Sequence, residues 1–209
     1  RCRGVPTALA CLGRLPLVCF GAWELVLVGA ACVLFCFLYT TLLAQHGMGD
    51  VLVLLFFGLV PVCLTYYVTM PPASQTITAQ VVWASLACGL VIDTLLVVNN
   101  YRDYDQDRAV GKKTLIVRMG RERAEQLYGW LGNIATYMMW GCLVLGDSSF
   151  VLMLVCFACF VPYALLHGAT RVQMRRIGRG RELNKVLGMT ARNMFVFGVT
   201  TAIVTLFIL

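Results

Sequence analysis

Long apolar runs, separated by short polar connections, recur along the whole chain. Each run is close to the roughly 20 residues that an α-helix needs to cross a bilayer. The pattern predicts seven membrane-spanning helices, at about residues 5–20, 23–44, 50–69, 76–100, 123–145, 148–169 and 184–209. The first is the weakest, since Arg14 and Pro16 interrupt it, and Pro61 predicts a kink in the third. The short alternating segments of transmembrane β-strands do not occur in the sequence.

The composition agrees with this pattern. Of the 209 residues, 60% are apolar and only 13% are charged, whereas a soluble domain carries about a quarter charged residues. The sequence therefore predicts an all-α, polytopic transmembrane helical bundle that is surrounded by lipid.

The basic residues are distributed unevenly among the connections. They concentrate in residues 1–3, 101–123 and 170–185, whereas the turns near Gly21, at 70–75 and at 146–149 carry none. Cytoplasmic loops accumulate Lys and Arg, so this alternation places residues 99–120 on the cytoplasmic side. We expect the 171–181 run to be a solvated loop facing anionic lipid. Nucleic acid is not an expected partner, because these bases flank spans and no recognition module accompanies them.

Residues 99–120 read NNYRDYDQDRAVGKKTLIVRMG and follow directly on an apolar run. Ionisable groups at the end of a membrane helix indicate a functional site. Asn99, Asp103 and Asp107 are four residues apart, so on a helix they share one face. Mg²⁺ is usually held by one or two carboxylates together with waters and substrate phosphate oxygens. Asp105 points elsewhere on such a helix.

Cations follow these acids. Gly111 is expected to end the helix, and arginine forks and mobile lysines both suit phosphate. The candidate phosphate ligands are Lys112, Lys113 and Arg118, with Arg102 as a further helper and Asn99 and Asn100 as supporting polar groups. A solvated loop that obeys the positive-inside rule would have a similar composition. The residues alone leave both interpretations open.

The motif N-N-Y-R-D-x-x-x-D-x-x-x-G-K-x-T-L-x-x-R-x-G resembles the second aspartate-rich motif of the UbiA superfamily of intramembrane prenyltransferases. Its spelling is most similar to the 1,4-dihydroxy-2-naphthoate prenyltransferases (MenA type). Residues 46–50, His-Gly-Met-Gly-Asp, resemble that family's His-Gly-Leu-Gly-Glu. The family has nine helices and a first motif, Asn-x-x-x-Asp, that has no counterpart here. Because the chain also begins with Arg1, we expect residues 1–209 to be a single membrane-embedded domain that lacks about two N-terminal helices.

The resemblance implies Mg²⁺-dependent transfer of a polyprenyl group from polyprenyl diphosphate to 1,4-dihydroxy-2-naphthoate, giving demethylmenaquinone. It implies that Asp103 and Asp107 bind magnesium and are catalytic. The expected substrate-binding residues are Asn99, Asn100, Arg102, Lys112, Lys113, Arg118 and, for the aromatic pocket, Tyr67. The expected location is the bacterial inner membrane.

Other interpretations remain. A polytopic secondary transporter also carries intramembrane charge, though more often near the middle of the bilayer, and a UbiA-type enzyme with another aromatic acceptor would share the motif. Asp93 lies within the fourth span and is expected to be neutral, to pair with Arg14 or Arg192, or to contact substrate. We expect His46 to lie in a loop and His167 to cap the end of a span.

Overall fold

The computed structural model describes residues 29–31, 34, 47–71, 75–144 and 149–208, and these are almost entirely helical, with no strand among them. The all-α class is therefore confirmed. The first two expected spans lie outside the described residues, apart from helical residues at 29–31 and 34, and so do Arg14 and His46.

The helices of the described residues form the framework of the bundle. They are α1 (Gly49–Val53), a π-helical stretch (Leu54–Leu59), α2 (Val60–Thr69), α3 (Ala79–Arg102), α4 (Tyr104–Ala109), α5 (Leu115–Met119), α6 (Arg121–Val144), α7 (Phe150–Cys159), α8 (Val161–Ile177) and α9 (Leu183–Ile208). Four continuous helical segments in the described part of the chain are long and apolar enough to cross a membrane: Gly49–Thr69, Ala79–Arg102, Phe150–Ile177 and Leu183–Leu206. The protein is a multi-pass membrane protein.

The first of these segments changes its winding before Pro61. The π-helical stretch Leu54–Leu59 ends two residues before this proline, which occupies the first turn of α2. Proline has no N–H to donate to the carbonyl four residues earlier, and the local widening accommodates that loss. The segment then crosses α3 closely, since a Cβ on Gly58 would lie only 2.7 Å from Gly89 Cα. Small residues permit such close backbone approach in membranes.

The expected span at 123–145 is a helix, α6, but it is not among the four apolar segments. Its first turn carries Arg121, Glu122 and Arg123, and its apolar positions are interrupted by polar and aromatic residues. These residues lower its hydropathy. The helix instead packs mainly against α3 and α8.

Two buried apolar clusters hold the bundle together. One joins α3, α6, α7, α8 and α9 along their length around Phe160, Tyr163 and Phe197. The other lies where α3 ends and α9 begins, and it includes Tyr101, Tyr128 and Leu183. Tyr101 and Ile116 belong to this second cluster, so it anchors residues 99–120 to α6, α8 and α9.

Two expectations about the last spans are wrong. His167 does not cap a span end, because α8 continues to Ile177 and the ring is buried, with Nε2 2.9 Å from the Tyr128 carbonyl oxygen. The basic run at 171–181 is mostly helix, with only residues 178–182 between α8 and α9. Both errors have one cause: charged residues can continue a membrane helix past its apolar stretch, where they reach water.

Candidate functional site

The helical register continues through the acidic motif. Helix α3 ends at Arg102 and α4 begins at Tyr104, with Asp103 between them. The Asp103 N–H donates to the Asn99 carbonyl at 3.1 Å, and the Asp107 N–H donates to the Asp103 carbonyl at 2.8 Å. The backbones of Asn99, Asp103 and Asp107 are therefore linked in successive turns, as the sequence predicted.

Arg102 is occupied in holding its neighbours. Its Nε and Nη2 donate to the two carboxylate oxygens of Asp103 at 2.8 and 2.9 Å. Nη2 also donates to Asn99 Oδ1 at 2.8 Å, and Nη1 donates to Asn184 Oδ1 at 3.1 Å. A guanidinium has five N–H donors, and these bonds take most of them. Arg102 thus orients the Asp103 carboxylate and joins it to the start of α9.

Asp107 has a different cation. Helix α4 ends at Ala109 and is followed by Val110 and Gly111, whose φ is +73°. The N–H groups of Gly111 and Lys112 donate back to the carbonyls of Arg108 and Asp107 at 3.2 and 2.9 Å. This is the Schellman arrangement that ends many helices at glycine. It folds Lys112 back over the helix, where Nζ donates to both carboxylate oxygens of Asp107 at 3.2 Å. The Asp107 side chain is 12% exposed and the Lys112 side chain 33%, so water screens this ion pair only in part.

The residues after Lys112 are anchored by a cap and by the start of the first described span. Thr114 Oγ1 accepts from the Val117 N–H at 3.2 Å and so begins α5. Gly47 lies directly against the Lys113 carbonyl. The side chains of Lys113 and Arg118 are exposed on this surface, where an anion could reach them.

Two cavities adjoin the motif. The larger, about 250 Å³, is lined by Arg102, Asp103, Gln106, Gly180, Arg181 and Asn184. The smaller, about 30 Å³, is lined by Gly47, Gly49, Asp50, Leu96, Asn100, Lys112, Thr114 and Leu115. The smaller one has room for a water or a single ion, whereas the larger one suits a compact polar group.

The donor atoms are compatible with magnesium. Among the described residues, no three His, Cys, Asp or Glu side chains come together as a metal-binding group. Mg²⁺ needs only one or two protein carboxylates when phosphate oxygens and water complete the octahedron. Asp103 and Asp107, one helical turn apart, would supply these, with the Asn99 amide oxygen nearby.

Tyr67 is not brought to this site. It lies near the end of α2, whereas Asp50, near the start of the same span, lines the smaller cavity. At about 1.5 Å per residue the two are roughly 26 Å apart along the helix axis. Tyr67 therefore lies toward the opposite end of the bundle.

Asp93 does not pair with Arg192, and the alternative pairing with Arg14 lies outside the described residues. Arg192 donates to Asn193 Oδ1 at 3.4 Å, and no ion pair of Asp93 occurs in the part of the chain that the structure describes. Its carboxylate is buried within α3.

Sequence reasoning missed Arg121 and the connection between α8 and α9. Arg121 donates to the Gly178 carbonyl at 2.6 Å, the Tyr101 carbonyl at 3.2 Å and Asp105 Oδ2 at 3.0 Å. Its guanidinium also lies 4.9 Å from the centre of the Tyr101 ring. The alternation of basic connections had placed residues 101–123 and 170–185 on one side, and these contacts confirm that they meet. Which side chains would touch could not be read from that alternation.

The sequence matches the UbiA prenyltransferase family over residues 5–199. It is 35% identical over 204 residues to a 1,4-dihydroxy-2-naphthoate octaprenyltransferase of Mycobacterium tuberculosis, covering 93% of this chain and 64% of the relative. Proteins of the same description from Mycobacterium leprae and Escherichia coli are 32% and 29% identical, covering 95% and 77% of this chain and 64% and 48% of their own lengths. The chain thus spans less than two thirds of the length of these relatives, and no solved structure matches it significantly. The chain belongs to the UbiA prenyltransferase family.

Proposed function

We propose that this protein is a prenyltransferase that moves a polyprenyl group from polyprenyl diphosphate to 1,4-dihydroxy-2-naphthoate in menaquinone biosynthesis. The observation that carries the proposal is similarity over nearly the whole chain to proteins described as octaprenyltransferases for that acceptor. The arrangement at residues 99–120 supports it, since carboxylates and exposed cations converge at the end of an apolar helix.

The proposed reaction requires a site that stabilises the leaving diphosphate. The bond between the allylic carbon and the diphosphate oxygen breaks, a ring carbon of the naphthoate forms the new carbon–carbon bond, and the carboxyl on that carbon leaves as carbon dioxide. Negative charge accumulates on the departing oxygens, and preorganised cations stabilise such charge most in a water-poor site. In this chain, the positive charge would come from Lys112, Lys113 and Arg118.

Magnesium, held by Asp103 and Asp107, would neutralise diphosphate charge as a Lewis acid. The protein's own task is to hold these two carboxylates in place. Arg102 does so for Asp103, and Lys112 does so for Asp107. Asn99 accepts from Arg102 and so completes the support.

The membrane setting suits both substrates. A polyprenyl tail is apolar and is expected to lie along lipid-facing helices, while the diphosphate remains at the polar end of α3. Exclusion of water protects an allylic cation from hydrolysis. We propose that this end of the bundle faces the cytoplasm of a bacterial inner membrane, following the distribution of basic residues.

The test is transfer of a radiolabelled prenyl group by the purified protein in detergent. Asp103→Asn and Asp107→Asn are compared with Asp105→Asn, a matched control in α4 whose carboxylate is 62% exposed and pairs with Arg121. We expect the first two changes to lower kcat/KM by at least about a hundredfold, since each removes charge from a buried or partly buried ligand. The control should retain most of the activity, and chelation of magnesium should abolish transfer.

Two results would contradict the proposal. Undiminished transfer in the presence of a chelator would remove magnesium from the reaction. Equal activity of Asp105→Asn, Asp103→Asn and Asp107→Asn would mean that the acids of this motif have no specific role.

A further inference from the structure

We propose that the connection between α8 and α9 is part of the diphosphate site, with Arg181 binding a phosphate oxygen directly and Asn184 positioning Arg102. This inference rests on the proposed function and adds residues to its donor site. Both residues lie outside the 99–120 motif.

The connection is fixed beside the motif by contacts at both of its ends. Arg121 donates to the Gly178 carbonyl at 2.6 Å where α8 stops. Arg102 donates to Asn184 Oδ1 at 3.1 Å where α9 starts. Between them, Leu183 is fully buried in the cluster that supports the motif. A segment held at three points keeps its side chains close to Asp103.

The same segment forms one wall of the larger cavity. Gly180, Arg181 and Asn184 line it on one side, and Arg102, Asp103 and Gln106 line it on the other. Its volume of about 250 Å³ lies just below the range of about 300–1,000 Å³ for drug-sized ligands. A compact charged head group is therefore a better fit than a whole prenyl chain or a naphthalene ring.

The charges around the cavity single out Arg181. Arg102 has committed most of its N–H groups to Asp103, Asn99 and Asn184. The Arg181 side chain is exposed, and it forms no hydrogen bond or ion pair within the described ranges. A free arginine fork matches phosphate geometry. Arg181 is thus the cation of this cavity that remains available to an anion.

A lipid head group would offer the same phosphate chemistry. The carboxylate of Asp103 on the cavity wall favours the metal-bound diphosphate, because Mg²⁺ can take a carboxylate oxygen and phosphate oxygens together. Two arms of one experiment distinguish these sources.

The first arm measures binding of inorganic pyrophosphate with Mg²⁺ to the purified protein in detergent by calorimetry. Arg181→Gln is compared with Arg176→Gln, which makes the same change of charge at an exposed position of α8 away from the cavity. We expect the dissociation constant to rise at least about tenfold for Arg181→Gln, the size of a lost hydrogen bond between charged groups, and less than about twofold for Arg176→Gln. Arg181→Lys should restore part of the affinity. In turnover, the KM for the prenyl donor should rise and that for the acceptor should not.

The role of Asn184 has its own readout. Asn184→Ala should raise the donor KM by a smaller factor than Arg181→Gln, since it only releases Arg102. In an Arg102→Ala background it should have no further effect, because the contact it removes is already gone.

The second arm measures retention of anionic phosphatidylglycerol by the same variants in mixed nanodiscs. Unchanged retention with weakened pyrophosphate binding supports the inference. Equal pyrophosphate affinity of wild type and Arg181→Gln overturns it, as does loss of lipid retention with unchanged pyrophosphate affinity. If the wild-type protein itself fails to bind magnesium pyrophosphate, the proposed function falls as well, so the two failures are distinguishable.

Discussion

Gly47 and Gly111 offer a matched test of how the chain beside Lys112 is held. Both adopt the left-handed backbone, with φ of +74° and +73°. Their surroundings differ. A Cβ on Gly47 would lie 2.6 Å from the Lys113 carbonyl oxygen and 3.3 Å from the Leu115 nitrogen, whereas a Cβ on Gly111 would meet nothing within 4 Å. Substitution by alanine therefore imposes the same backbone strain at both positions and a steric clash at only one.

The expected sizes follow from these two terms. An L-residue in the left-handed region costs about 1–2 kcal/mol, so Gly111→Ala should lower the free energy of unfolding by that amount. Overpacking against backbone costs about 1–3 kcal/mol more, and only Gly47→Ala incurs it. The clash pushes on the peptide between Lys113 and Thr114, so Gly47→Ala should also raise the KM for the prenyl donor.

The measurements are thermal unfolding in detergent and donor KM for both variants. Gly111→Asn serves as a further control, because asparagine tolerates the left-handed region better than alanine does. We expect the order of stability to be wild type, Gly111→Asn, Gly111→Ala and then Gly47→Ala. Equal losses for the two alanine variants would refute the contact between Gly47 and residues 113–115, and with it the anchoring of this part of the site.

Three further changes test the packing around the site. His167→Phe keeps a ring against α6 but loses the hydrogen bond to the Tyr128 carbonyl. The free energy of unfolding should fall by about 1–3 kcal/mol, and a lower melting temperature would show it. Arg121→Lys cannot reproduce the forked contacts, including the one to Gly178, and limited proteolysis should cut residues 178–182 faster. Trp140→Phe loses the 3.1 Å bond from the indole to the Met153 carbonyl, and hydrogen exchange should rise in α7 while α9 is unchanged.

The sequence predicted the features that depend on neighbours along the chain. Hydropathy located the described spans to within a few residues at most ends, and spacing by four placed Asp103 and Asp107 in successive turns. Gly111 ends a helix as expected, because local backbone preference decides that position. The resemblance to the UbiA family rested on the same local motif, and the family match confirms it.

The features it missed depend on distant segments. Asn184 lies 82 positions from Arg102, and the bond forms only because α3 and α9 pack so that the end of one meets the start of the other. Hydropathy reports exposure to lipid and cannot report which helices touch. The same limit explains α6, whose charged first turn lowers its hydropathy although the helix packs along α3 and α8.

The acids of the motif form ion pairs that stabilise the fold, and the same pairing leaves other cations available to an anion. Each carboxylate in this segment has its own cation: Asp103 has Arg102, Asp107 has Lys112, and Asp105 has Arg121. These pairs neutralise the acids at the end of an apolar helix, where an isolated charge would be costly. The electrostatic potential at this end of the bundle then depends on the cations that are not in these three pairs, which include Lys113 and Arg181. An anionic head group is therefore attracted to this end of the bundle even though carboxylates define its motif.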